Sequence, residues 1–125
     1  MTENENSYIV RKSVFNVYNQ LGSGLLESVY QKILIYGLEK NDLNVKSEVI
    51  LPVYYDDKKF DINFKIDILI EDKVILELKS VKELDNVHYK QLNTYLKLSD
   101  KKLGLLINFN TANILDSIKR VVNNL

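Results

Sequence analysis

The chain of 125 residues has no cysteine, no tryptophan, one histidine and one proline. Without cysteine there is no disulfide framework, no thiolate zinc site and no cysteine nucleophile, and a cytoplasmic setting is the expected one. A serine triad is excluded as well, because His88 is the lone histidine and no G-x-S-x-G elbow is present. An excess of either charge is also missing: 17 Lys and Arg balance 17 Asp and Glu, so net charge draws no polyanion to the whole surface. The pairs Lys58-Lys59, Lys101-Lys102 and Lys119-Arg120 are too short to make a basic patch and read as solvated surface. No apolar run approaches the roughly 18 to 20 residues of a membrane span. The polar start from Met1 to Ser7 is unlike a signal peptide and is expected to be disordered, which leaves 8–125 as one domain.

What is present is a change of hydrophobic period along the chain. Val10, Val14, Val17 and Leu21 recur at helical spacing until Gly22-Ser23-Gly24 interrupts them, and Leu26, Val29, Tyr30, Ile33, Leu34 and Leu38 mark a second helix. Val45 to Tyr55 is rich in β-branched and aromatic residues, with Pro52 inside it, and Asp56-Asp57-Lys58-Lys59 reads as a turn. From Phe60 the alternation is strict: Ile62, Phe64, Ile66, Ile68 and Ile70 share one face, and Asp61, Asn63, Lys65 and Asp67 the other. Strands at Val74–Lys79 and Leu103–Phe109 flank a helix from Asn86 to Leu98, and Ile114 to Val122 is expected to close the chain as a helix. The predicted order is α-α-β-β-β-α-β-α, with the long strand run open to a bend or bulge. Tyr8, Phe15, Tyr18, Tyr54 and Tyr55 are read as core rather than as an exposed dimer surface.

One cluster carries chemistry. In Val74–Lys79 the side chains of Glu77 and Lys79 share a face because the strand period is two. A three-residue loop at Glu71-Asp72-Lys73 sets Asp67 opposite Glu77, whereas a two-residue turn sends the carboxylates to opposite faces. Asp72-Lys73 lacks the glycine or asparagine that two-residue hairpin turns favour, so the three-residue loop is expected. The two Cβ atoms then lie about 5 Å apart, close enough that the like charges call for a cation. Oxygen ligands favour Mg²⁺ or Mn²⁺ over zinc. The plain alternative is a surface strand pair in which Glu77 is bridged to a lysine.

On the next helix, Leu84, Val87, Leu92 and Leu98 define an apolar sector, and Asn86, Lys90, Asn93 and Lys97 point outward. His88, Gln91 and Tyr95 fall within the apolar sector, where polar groups either brace the core or face a cleft. For His88 the bracing role is preferred; Gln91 and Tyr95 are candidates to reach a phosphate or a metal-bound water. Glu27 sits in a first helical turn, where dipole stabilisation and capping explain a carboxylate without any site. Gly22-x-Gly24 is no dinucleotide loop, since no strand precedes it and Glu27 stands where a third glycine belongs.

Taken in order, four segments resemble a known family. Gly24-Leu25-Leu26-Glu27-Ser28-Val29-Tyr30 matches the signature of the GxxExxY proteins, a bacterial and archaeal family within the PD-(D/E)XK nuclease superfamily. Lys65-Ile66-Asp67, the stretch Asp72 to Lys79, His88 to Leu96 and Leu103 to Phe109 continue the resemblance over nearly the whole chain. It implies an α/β restriction-endonuclease-like fold: a central mixed sheet with an α-β-β-β-α-β core, flanked by helices. It also implies that Asp67, Glu77 and the Leu78 carbonyl hold Mg²⁺ or Mn²⁺, that Glu27 assists through water, and that Lys79 positions the attacking water. Gln91 and Tyr95 match a Gln-x-x-x-Tyr element of exonuclease branches. Ile66 stands where the superfamily's name places proline, a departure that leaves the acid and base positions intact.

The activity so implied is hydrolysis of phosphodiester bonds, with DNA as the expected substrate in repair, recombination or defence. A neutral domain offers little positive surface for a duplex, so a homodimer or a partner subunit is the expected way to complete a groove, and no membrane is involved. Two rival readings stay open: a nucleic-acid-binding or assembly module that keeps the fold without catalysis, and a hydrolase of small nucleotides.

Overall fold

The computed structural model describes all residues from Met1 to Leu125. Two helices open the chain, α1 (Glu3–Leu21) and α2 (Glu27–Glu39). Strands β1 (Val45–Tyr55), β2 (Lys58–Ile70) and β3 (Val74–Lys79) follow, then α3 (Asn86–Ser99) and β4 (Leu103–Asn108). A 3₁₀ turn at Leu115–Ser117 leads into β5 (Ile118–Val122). The five strands form one sheet in sequence order, antiparallel throughout except for the β3–β4 pair, which α3 connects as a crossover. This is the mixed sheet with flanking helices expected from the sequence.

The sheet separates two apolar layers. On one face α1 and α2 bury Val10, Val14, Tyr30, Leu34 and Leu38 against Ile68, Ile70, Leu76, Leu78, Leu105 and Ile107. On the other, α3 places Leu92, Tyr95 and Leu96 over Leu51, Ile66, Leu69, Ile75 and Leu106. Because β3 and β4 are covered on both sides, they read as nearly continuous apolar runs. Gly104 is required by this packing: a Cβ there would meet Leu92 Cδ1 at 2.8 Å. None of the helices is long and apolar enough to cross a membrane.

Four expectations are corrected. Met1–Ser7 is not a disordered tail, because α1 begins at Glu3, where a reciprocal cap holds it. The Thr2 amide donates to Glu5 Oε1 (3.0 Å) and the Glu5 amide to Thr2 Oγ1 (3.1 Å), so a polar sequence is a helix start here. The segment from Ile114 to Val122 is not a helix: after the 3₁₀ turn it pairs with β4 and shields that otherwise open sheet edge. On α3, Val87 and Leu98 are exposed and the buried stripe is Leu92, Tyr95 and Leu96. Of the five aromatics read as core, Tyr8, Phe15, Tyr54 and Tyr55 are exposed.

The strict alternation of β2 is also broken. Ile66 packs under α3, whereas Ile68 and Ile70 pack under α1 and α2. The switch falls at Asp67: β1 pairs Ser47 with Ile68 and Val49 with Ile66, but Glu48, opposite Asp67, is left out of the ladder. Glu48 has φ 52°, a left-handed backbone that turns the ribbon over and sends Val49 and Leu51 to the α3 face with Ile66. The hairpin therefore changes its apolar face at the residue that the sequence singles out for chemistry.

Candidate active site

The β2–β3 connection fixes the site. Its residues are Glu71, Asp72 and Lys73, with Glu71 and Asp72 at φ 52° and 53°. The ladder pairs Ile70 with Val74, Leu69 with Ile75 and Ile68 with Leu76, so the next position sets Asp67 against Glu77. The three-residue loop and its parity are as expected. Each carboxylate caps the other strand: the Asp67 amide donates to Glu77 Oε1 (3.2 Å) and the Leu78 amide to Asp67 Oδ2 (2.9 Å). Since the amide and carbonyl of one strand residue leave by the same edge, the Leu78 carbonyl also faces the Asp67 side.

Burial dominates the electrostatics. Glu77 is 4% exposed, and desolvation, reinforced by the Asp67 charge, pushes its carboxyl up to about 8. Asp67 is raised too, again by burial first, although the Leu78 amide, the Glu77 side chain and Lys79 pull the other way. Lys79, on the same strand face as Glu77, lowers both carboxyls through its charge but stands beyond ion-pair distance. The ion pairs of the chain lie elsewhere, at Lys46–Asp72 and Lys65–Glu48. The buried Glu77 carboxyl beside the half-buried Asp67 carboxyl, with no contacting cation and with oxygen donors alone, fits a hard divalent ion.

The other predicted residues are distributed unequally. Tyr95 extends from α3 onto this face of the sheet; burial, then the charges of Glu77 and Asp67, raise its phenol. Its ring is tilted against Phe64, with centroids 5.4 Å apart. Gln91 is one helical turn earlier on α3, exposed and without a hydrogen bond in the protein. His88 does not brace the core as expected: half-buried at the start of α3, it caps the helix, its Nδ1 accepting from the Asp85 amide at 3.0 Å. Glu27 is exposed on α2 and accepts from the Ser80 amide (3.3 Å), just beyond Lys79. It does not join Asp67 and Glu77, and no group of three His, Cys, Asp or Glu side chains is assembled in the structure.

Tyr30 and the glycines before it set the position of Glu27. Gly22 and Gly24 take φ 74° and 87°, which glycine adopts at little cost. The Tyr30 hydroxyl donates to the Gly22 carbonyl (2.6 Å) and accepts from the Leu25 amide (3.1 Å), closing the loop, while its ring stacks on Phe109 at 4.1 Å. Ser80 Oγ donates to the Leu25 carbonyl (2.7 Å) and ties this loop to the end of β3.

Two residues that the sequence reading missed approach Asp67 from its other side. Gln31 Nε2 donates to the Asp67 carbonyl (3.0 Å) and lies 3.3 Å from Glu48 Oε1. Gln31 is one turn after Glu27, and that i+4 spacing was the available signal. Glu48 adds negative charge near Asp67, and nothing in its sequence context announces the left-handed backbone that puts it there.

The model of the PD-(D/E)XK nuclease superfamily matches residues 4–121. The chain belongs to the PD-(D/E)XK nuclease superfamily. Divalent metals such as Mg²⁺ are in general use among nucleases of that superfamily. Among solved structures, the crystal structure of SSO0001 superimposes with a TM-score of 0.60 over 97% of this PD-(D/E)XK chain, at 24% identity. That likeness concerns the fold alone, and the chain spans 60% of that protein's length. No curated protein matches the chain.

Proposed function

We propose that the chain is a metal-dependent nuclease that hydrolyses phosphodiester bonds in nucleic acid, DNA in the first place, as a GxxExxY member of the superfamily acting in the cytoplasm. The observation that carries the reading is the pair of the buried Glu77 and the half-buried Asp67, capped strand to strand, without a contacting cation and with Lys79 on the same face. Asp67, Glu77 and the Leu78 carbonyl would hold Mg²⁺ or Mn²⁺. When bound, the ion supplies an activated water and neutralises charge developing on the phosphate. Lys79 orients the attacking water and stabilises the negative charge of the transition state. Tyr95 and Gln91 bind the phosphate on the α3 side, and Glu27 orients solvent from the Ser80 side. A homodimer or partner subunit supplies the positive surface that a neutral chain lacks for a duplex.

The test is cleavage of labelled linear, nicked, branched and single-stranded DNA and of RNA, with Mg²⁺, Mn²⁺ or EDTA. Metal-dependent cutting that is lost in Glu77→Ala and in Lys79→Ala supports the reading; cutting retained by either variant refutes it. One observation favours a second reading, a binding module without catalysis: Glu27 is bonded to Ser80 and is not grouped with the other carboxylates. A salt-steep, metal-independent affinity for DNA without cleavage would select that reading.

A further inference from the structure

Asp67 sits where both ladders of β2 lapse. The pairing with β3 runs only from Ile70–Val74 to Ile68–Leu76, and the pairing with β1 steps from Ile68–Ser47 to Ile66–Val49 past an unpaired Glu48. Side chains take over the backbone there. The Asp67 amide donates to Glu77 Oε1 (3.2 Å), and the Asp67 carbonyl accepts from Gln31 Nε2 (3.0 Å), which reaches it from α2. A half-buried backbone carbonyl needs a donor, and Gln31 supplies one at a position that neither ladder pairs.

Glutamine suits this position by its chemistry. Its amide nitrogen carries two N–H groups, and two acceptors stand within reach, the Asp67 carbonyl and, at 3.3 Å, Glu48 Oε1. Lys65 Nζ holds Glu48 in turn at 3.3 Å, so the second contact of Gln31 is itself braced. An ionised carboxylate in place of Gln31 could donate to neither acceptor, and an aliphatic side chain would leave both without its donors. Glu27, one turn earlier on α2, accepts from the Ser80 amide (3.3 Å) just past Lys79. Side chains four residues apart on one helix therefore grip β2 at Asp67 and the chain at the exit of β3, beyond the last pair that joins the two strands.

We propose that Gln31 is a positioning residue that, by fixing the backbone of Asp67, holds the Asp67 carboxylate in place beside Glu77 for a divalent cation. This rests on the reading of that pair as a cation site, but it is measured by metal binding rather than by cleavage. Gln31 acts through Asp67, as outer-shell hydrogen bonds orient the ligands of metal sites in general.

The experiment titrates Mn²⁺ into the full chain by calorimetry and compares the parent with Gln31→Met, which keeps the length of the side chain without its donors. Affinity should fall about tenfold, the smaller of the losses that removal of an outer-shell partner brings. Gly104→Ala is the control for stability: its methyl presses on Leu92 of α3, across the sheet from α2, and should leave Mn²⁺ affinity unchanged. Asp67→Asn should remove the binding altogether. Thermal melts in EDTA would confirm that each variant is folded, and Gln31→Ala replaces the methionine variant if that one is not.

Mn²⁺ affinity in the Gln31 variant equal to the parent's would overturn the proposal. An equal loss in Gly104→Ala would do so too, since affinity would then follow stability alone. Binding that survives Asp67→Asn, or a parent that binds no Mn²⁺, would leave Gln31 no cation site to serve and overturn it as well. Cleavage assays in the same buffers separate this proposal from the nuclease reading. A parent that cuts, with a Gln31 variant equal to it in affinity and rate, would sink the positioning role and spare the nuclease. A parent that binds Mn²⁺ with the expected dependence on Gln31 but never cuts would do the reverse.

Discussion

Replacing Glu77 by glutamine should stabilise the metal-free protein at alkaline pH while removing its metal response. In the folded chain Glu77 keeps its proton up to about 8, and an unperturbed glutamate would lose it near 4.5. Between those values the folded state binds a proton that the unfolded state has released, so stability falls as pH rises and the loss is complete above pH 8. A difference of about 3.5 between the two values, at 1.36 kcal/mol each, sets a ceiling of about 5 kcal/mol. That is comparable with the whole stability of a small domain, about 5 to 15 kcal/mol. In Glu77→Gln the new side chain would keep an oxygen for the Asp67 amide and offer an amide donor to the Asp67 carboxylate, reproducing the protonated pair without a titrating group. Urea denaturation in EDTA should therefore show the two proteins within about 1 kcal/mol at pH 5, and Glu77→Gln ahead by about 2 to 5 kcal/mol at pH 8.5. Adding Mn²⁺ at pH 8.5 should raise the midpoint of the parent and leave the variant unmoved. A parent equally stable at both pH values, or a variant destabilised at pH 8.5, would refute the claim that Glu77 is buried beside Asp67 without a compensating cation.

Three further outcomes follow from the packing and the loop. Gly104→Ala should lose about 1 to 3 kcal/mol by denaturant titration, because the new methyl would press on the fully buried Leu92. Tyr30→Phe should cost about 1 to 3 kcal/mol by the same titration, since the Gly22 carbonyl and the Leu25 amide lose their common partner. Amide exchange in 22–26 should rise in that variant before it rises elsewhere. Thr2→Ala should lower stability by about 1 kcal/mol in thermal melts and loosen the first turn of α1, which a disordered start would not do.

The carboxylate pair was legible because it depends on local quantities. Strand period and the length of one loop decide whether Asp67 meets Glu77, and both can be counted along the chain. The start of α1 was harder: Thr2 and Glu5 lie in a polar segment without hydrophobic periodicity, and only their reciprocal bonds mark it as a helix start. β5 was missed for a different reason. Ile118, Val121 and Val122 fit a short strand or one face of a helix equally well, and only the open edge of β4 decides between them.

The deepest failure of the sequence reading is also the most informative about the site. An unbroken alternation from Phe60 to Ile70 predicts one apolar face, yet the protein buries Ile66 and Ile68 on opposite sides of the sheet. What the alternation cannot encode is Glu48, across the hairpin from Asp67, whose left-handed backbone turns the ribbon there. Strain of this kind, about 1 to 3 kcal/mol, persists where the surrounding structure holds it. Here Gln31 and Lys65 both hold the Glu48 carboxylate. The turn has two effects that a regular ribbon would not combine. Asp67 stays on the α3 face with Glu77 and Tyr95, and Val49, Leu51, Phe64 and Ile66 come to that same face. The residue that breaks the pattern thus joins the carboxylate site to the outer part of the β1–β2 hairpin, and Glu48→Gly, which keeps the backbone but frees the side chain, should stay more stable in denaturant titration than Glu48→Val, which is disfavoured at positive φ.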